Sequence, residues 1–160
     1  MDYRMGQLIL RSVTEDDLAE VARTWPSDHR PVCEAEARGA IDYMRRNHAR
    51  NARGRVHHLC LAVCGADDPG TIMGWCGLDG RRSQTEPELF ILLDEDYRGR
   101  GYGTQCVRKL LEIAANDFAL PGVHGGCDKH NIASRRAMEK GGMIQSATED
   151  TGDPLFRFHV

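Results

Sequence analysis

No apolar run in this chain approaches the length needed to cross a bilayer. Its opening residues, Met1-Asp-Tyr-Arg-Met-Gly6, lack the apolar core of a secretory signal. The net charge is only −3, which excludes a molecule whose whole surface binds polyanions. None of the six cysteines forms a Cys-x-x-Cys pair, and no Gly-Lys pair occurs, so the common zinc spacing and the P-loop are both missing. There is no internal repeat, linker or low-complexity segment. What remains is a chain of 160 residues, expected to form one domain with a real core. It is expected in the cytoplasm, with reduced thiols and no bound metal. Alternation along a strand places His58, Cys60 and Cys64 on one face, but Leu59, Leu61 and Val63 between them read as ordinary core.

The stretch that organises the chain runs from Glu88 to Thr104. Leu89 to Leu93 is an unbroken apolar run and reads as a strand buried on both faces. An acidic turn follows, then Arg98-Gly-Arg-Gly-Tyr-Gly103, with glycines at alternate positions and arginines between them. Val107, Leu110, Leu111, Ala114 and Phe118 then fall at helical spacing. Gly99, Gly101 and Gly103 therefore stand where a strand ends and a helix begins. Helix N-termini leave backbone N–H groups without partners, and the helix dipole favours an anion there. Glycine permits positive φ and close approach, while Arg98 and Arg100 add fixed charge. The combination suits a phosphate or pyrophosphate. The dinucleotide fingerprint fails because Thr104 stands where its third glycine belongs, which disfavours an oxidoreductase. A glycine-rich connection without a ligand is the plain alternative.

In chain order, Gln7 to Arg11 reads as a strand, and Thr14 to Asp17 as a capping-box variant that opens a helix to about Thr24. Trp25-Pro26 ends that helix. A second helix runs from Glu34 to about His48 and buries Ala37, Ile41 and Met44. Its far end is basic: Arg45, Arg46, Arg50, Arg53 and Arg55 read as a solvated helix end and loop, with the 3′-phosphate of a cofactor or an acidic acceptor as the other reading. Val56–Cys64, Thr71–Leu78 and Glu88–Leu93 form an antiparallel meander. After the glycine turn, its helix and Pro121-Gly122, a strand at Val123–Cys127 implies a right-handed parallel crossover. A helix over Ala133–Lys140, capped by Gly141, precedes two last strands, Met143–Thr148 and Leu155–Val160.

Arg98-Gly-Arg-Gly-Tyr-Gly103 resembles the Arg/Gln-x-x-Gly-x-Gly motif with which the GCN5-related N-acetyltransferases (GNAT) hold the pyrophosphate of acetyl-CoA. The segment Asn131-Ile-Ala-Ser-Arg-Arg-Ala-Met-Glu-Lys-Gly-Gly142 is similar to a second segment of that family. The resemblance covers most of the chain, and is nearest the branch that acetylates ribosomal proteins and protein N-termini. It implies an α/β fold with a central mixed, mostly antiparallel sheet of about seven strands and about four flanking helices. It also implies acetyl-CoA as co-substrate, held by the backbone of Ile91, Leu92 and Leu93 and by Arg98, Gly99, Arg100, Gly101, Tyr102, Gly103 and Thr104. Asn131 would bond the pantetheine arm, and Ser134 would lie near the phosphates; Asn131 also reads as a simple helix cap. The acceptor would be a small-molecule amine or a protein N-terminus, with no nucleic acid or membrane involved and a homodimer as an option. A non-catalytic CoA-binding module of the same fold is the alternative.

Two positions depart from the family pattern. The Tyr that protonates the leaving thiolate in many members falls on Met138, and the usual aromatic after the last glycine is Met143. Tyr97 and Tyr102 sit in the glycine motif, where packing explains them. Acetyl transfer needs a deprotonated amine, a polarised thioester and held partners. A thiol of pKa near ~8.5 leaves as thiolate without much help. Glu88 resembles the acid that some relatives use as general base, although a solvent-exposed strand end explains it as well. Asp128 and His124 are reserves, and a His beside a strand is more often structural.

Overall fold

The structure, a computed structural model, describes residues 1–25 and 30–160. Strands β1 (Asp2–Met5) and β2 (Leu8–Arg11) are followed by helices α1 (Leu18–Thr24) and α2 (Glu34–Arg50). Strands β3 (His58–Gly65), β4 (Ile72–Asp79) and β5 (Glu88–Leu93) come next. Then follow α3 (Tyr102–Asn116), β6 (Gly122–Gly126), α4 (Ile132–Gly141), β7 (Ile144–Thr148) and β8 (Pro154–His159). One eight-stranded sheet runs in the order β1-β2-β3-β4-β5-β6-β8-β7. Every pairing is antiparallel except β5 with β6.

Alternation along the strands divides the core between two faces. Leu59, Leu61, Val63, Leu89, Val123 and Phe156 face α3 and α4, where they meet Val107, Leu110, Leu111, Ala114 and Met138. Cys60, Ala62, Cys64, Ile72 and Trp75 face the other way and meet Val21 of α1 and Ala37, Ala40, Ile41 and Met44 of α2. Trp75 Nε1 donates to the Thr24 carbonyl at 3.1 Å, and Trp25 packs edge-on against its ring. These contacts hold α1 over β4. The two helices cover β3 and β4, while side chains of β5, β6 and β8 on that face stay accessible, Leu92 at 50% and His124 at 44%.

Several expectations change. The sheet has eight strands rather than about seven; β1 was missed because the Asp-Tyr-Arg-Met5 alternation is only four residues long, too short to stand out before pairing with β2 fixes it. Leu89–Leu93 is not buried on both faces, because β6 diverges and leaves Leu92 open. The left-handed cap of α4 is Gly142 (φ 115°), not Gly141. Gly141 is required by packing instead, since a Cβ there would lie 2.2 Å from Val107. The end of α1 falls at Thr24 with Trp25 extended; Pro26 lies outside the described residues. Thr14 and Asp17 form the expected capping box, Asp17 accepting from the Thr14 N–H at 2.8 Å. The arginines at and beyond the end of α2, Arg45, Arg46, Arg50, Arg53 and Arg55, are all exposed.

His48 of α2 ties the helix to the sheet. Its Nε2 accepts from the Cys60 N–H at 3.1 Å, which requires a neutral ring. Burial pushes its pKa down, and burial does the same to His58. A folded pKa below the unfolded value near ~6.5 makes the unfolded state bind protons first. Stability is therefore complete above that pH and falls as pH drops below it. Urea unfolding between pH 8 and 5 is expected to show this loss before carboxylates titrate, and His48→Gln to flatten it.

Candidate active site

The site is built where β5 and β6 part. Their parallel pairing is confined to Glu88 with His124, anchored by the His124 N–H donating to the Pro87 carbonyl at 3.0 Å. Past that point the outer edge of Leu89–Leu93 has no strand partner among the described residues. A wedge-shaped gap with one free backbone edge results, widening toward the glycine turn.

At its wide end the chain turns through Gly99 (φ 73°) and Gly101 (φ 78°), both left-handed. An added Cβ at either meets nothing within 4 Å, so the backbone angle, not space, requires glycine here. Gly101 is the N-cap of α3 and has no side-chain acceptor for the first-turn N–H groups. Arg98 Nε donates to the Leu93 carbonyl at 2.9 Å and clamps the turn to the strand end. Arg100 donates to the Asp96 carbonyl at 3.1 Å and lies over the Tyr97 ring. Tyr97 and Tyr102 pack against the core, as expected. Gly103 differs from the other two: its Cβ would touch Ala137 of α4 at 3.4 Å, so its smallness serves helix packing. Thr104 is half-buried in the first turn of α3.

Helices α3 and α4 run parallel, with Gly103 against Ala137 and Val107 against Gly141. Their N-termini consequently lie at the same end of the sheet, which brings Asn131 and Ser134 toward the glycine turn. Asn131 caps α4, its Oδ1 accepting from the Ser134 N–H at 3.1 Å. Met138 is buried, and its sulfur and that of Met143 lie over Gly125 of β6, 3.0 and 3.4 Å from where a Cβ would be. No acid is available at that position. Asp128 lies four residues beyond His124, about 13 Å along an extended chain, at the wide end; it accepts from the His130 N–H.

At the narrow end a row of polar residues crosses the sheet on the face shared with α1 and α2. The register joins His58 to Asp79, Asp79 to Glu88, Glu88 to His124, and His124 to Arg157. Glu88 is exposed. Glu86 accepts from Arg157 Nη2 through one oxygen and sits 3.2 Å from His124 Nε2 through the other. Arg157 and His124 hold the Glu86 carboxyl below the usual carboxylate range. Sequence reasoning missed Glu86 and Arg157; the one signal was Arg157 as the charged residue in the alternating Leu155-Phe-Arg-Phe158. Beside the row, Gly142, Ile144, Ser146, Arg157, Phe158 and His159 line a cavity of about 400 Å³. His58, Cys60 and Cys64 do share one face, with burial pushing the two thiols up to about 12 and about 11.

The family model for the acetyltransferase (GNAT) domain matches residues 7–144. The chain belongs to the GNAT acetyltransferase family. It is an acetyl-CoA-dependent N-acetyltransferase. A search of the curated proteins gives no match. Solved structures share the fold. A ribosomal-protein-S5-alanine acetyltransferase from Vibrio fischeri has a TM-score of 0.82 at 13% identity, over 99% of this chain and 96% of its own. An acetyltransferase from Agrobacterium tumefaciens gives 0.74 at 21% identity, over 100% and 95%. RimL, a ribosomal-protein α-N-acetyltransferase in complex with coenzyme A as a cysteine disulfide, gives 0.77 at 12% identity, over 100% and 98%. No helix among the described residues is long and apolar enough to cross a membrane.

Gly101→Ala places a Cβ on a left-handed residue, which costs about 1–2 kcal/mol. The turn is expected to distort and acetyl-CoA affinity to fall at least tenfold, measured by calorimetry on protein that still unfolds cooperatively. Unchanged affinity would remove the turn from the cofactor site.

Proposed function

We propose that the acetyl group passes directly from acetyl-CoA to a primary amine of a small molecule or a protein N-terminus, with Glu88 as general base. The single observation behind this reading is the position of Glu88. It is exposed at the point where β5 and β6 separate, on the face that the helices leave open. In this reading the pyrophosphate lies on the N–H groups of Gly99 to Thr104, flanked by Arg98 and Arg100. The pantetheine arm runs along the free edge of Ile91, Leu92 and Leu93 toward Glu88, with Asn131 and Ser134 on its other side. Backbone N–H groups on that edge polarise the thioester carbonyl.

With Met138 where an acid would stand, the thiolate leaves by its own low basicity. An incoming ammonium is drawn to Glu88 and loses its proton there, directly or through one water. No covalent acetyl-enzyme is needed; four of the six cysteines, Cys60, Cys64, Cys76 and Cys106, are buried in the core. The S5-alanine and RimL structures favour a protein N-terminus as the first acceptor to try.

Glu88→Gln keeps the shape of the side chain and removes its basicity. Its kcat near neutral pH is expected to fall about 10²-fold, with acetyl-CoA affinity unchanged and the deficit shrinking at high pH. Thiol release from a panel of free-N-terminus peptides and simple primary amines measures this. An unchanged kcat across the pH range would return Glu88 to a solvated strand end.

A further inference from the structure

His124 stands beside Glu88 at the last paired position of β5 and β6. Its side chain is 44% exposed, and its Nε2 lies 3.2 Å from Oε2 of Glu86. Glu86 is itself fixed from three directions. Its backbone N–H donates to Ser83 Oγ at 3.1 Å, and its second oxygen accepts from Arg157, which pairs with His124 across β6 and β8. Gly122 leaves it room, since a Cβ there would lie 3.2 Å from Glu86 Oε1.

A carboxylate facing Nε2 selects the tautomer with hydrogen on that nitrogen, which leaves the lone pair on Nδ1. Arg157 keeps Glu86 ionised, so Glu86 orients the ring and does not compete for the proton. The charged and titratable groups facing the imidazole are Glu86 from the β4–β5 loop, Glu88 from β5, and Arg157 and His159 from β8.

We propose that His124 is the terminal proton acceptor of the transfer reaction, with Glu86 as its positioning residue. This rests on the reading of Glu88 above: Glu88 takes the proton from the ammonium, and His124 receives it from Glu88. As a chemical class an imidazole is closer in basicity to an amine than a carboxylate is, so it holds the amine's proton at lower cost. The ammonium loses one proton to Glu88, directly or through one water, and Glu88 passes it to Nδ1 of His124. The free amine attacks, the C–N bond forms and the C–S bond breaks. The second amine proton goes to the CoA thiolate, and the imidazolium releases its own to solvent. One proton appears per turnover.

The test compares kcat/KM against pH for the wild type, His124→Gln, His124→Ala, Glu86→Gln and Glu88→Gln, using the best acceptor of the panel above. His124→Gln is expected to lose about 10²-fold and the acidic limb of the profile, with acetyl-CoA affinity and melting temperature unchanged. Added imidazole is expected to restore part of the rate to His124→Ala. Glu86→Gln is expected to move the acidic limb to lower pH, because the imidazolium loses its anionic partner. An unchanged His124→Gln profile beside a slow Glu88→Gln would overturn the proposal and leave the Glu88 reading standing. Loss of rate in His124→Ala with the limb retained and no imidazole rescue would make His124 merely structural. Turnover of no acceptor in the panel would overturn the amine-transfer reading, and this proposal with it.

Discussion

The structure depends on one parallel pairing that stops after its first rung. In an otherwise antiparallel sheet, β5 and β6 meet at Glu88 and His124 and then separate. A parallel neighbour requires a crossover, and α3 supplies it. Because α4 leaves β6 in the same sense as α3 leaves β5, both helices point their N-termini to the end where the strands have parted. The free edge of β5 and the uncapped start of α3, with the Asn131-capped start of α4 beside them, thus surround one gap. Backbone groups cannot stay buried without partners, so such a gap persists only where solvent or a ligand satisfies them. A pantetheine arm with its amides, ending in a pyrophosphate, matches that requirement.

Uneven helix cover supplies the other half of the site. α1 and α2 are held over β3 and β4 by Trp75 and by the His48–Cys60 bond, and they stop short of β6 and β8. The same row of register-matched residues therefore has a sheltered end and an open end. His58 packs against Tyr43 and stacks on the Phe90 ring, with Asp79 beside it at 3.7 Å. Glu88, His124 and Arg157 face outward. Burial penalises charge at the first end, while the second can hold it for chemistry.

Much of the fold was legible in local pattern. The α3 stripe, the glycine turn and the bounds of β5 need only neighbours in sequence to specify them. The misses share a cause. β1 alternates over only four residues, with Tyr3 and Met5 toward the core, and is fixed as a strand by β2. Leu89–Leu93 read as doubly buried because an apolar run carries no record of whether its neighbouring strand stays beside it. Gly103 and Gly141 read as turn and cap glycines, yet both are small because α3 and α4 approach closely, a fact about two helices and not about either.

The sequence by itself determined the glycine turn to which the cofactor is assigned in our proposal: a strand, left-handed glycines, paired arginines and a helix start are contiguous, so local backbone preference alone assembles them. It also determined that Met138 brings no acid. Only the tertiary structure decided the polar row that we propose as the acceptor end. Glu86, Glu88, His124 and Arg157 come from a loop and three strands, and the register of β5, β6 and β8 is what aligns them. Register follows from hydrophobic faces packing across the whole sheet, which no window of sequence contains.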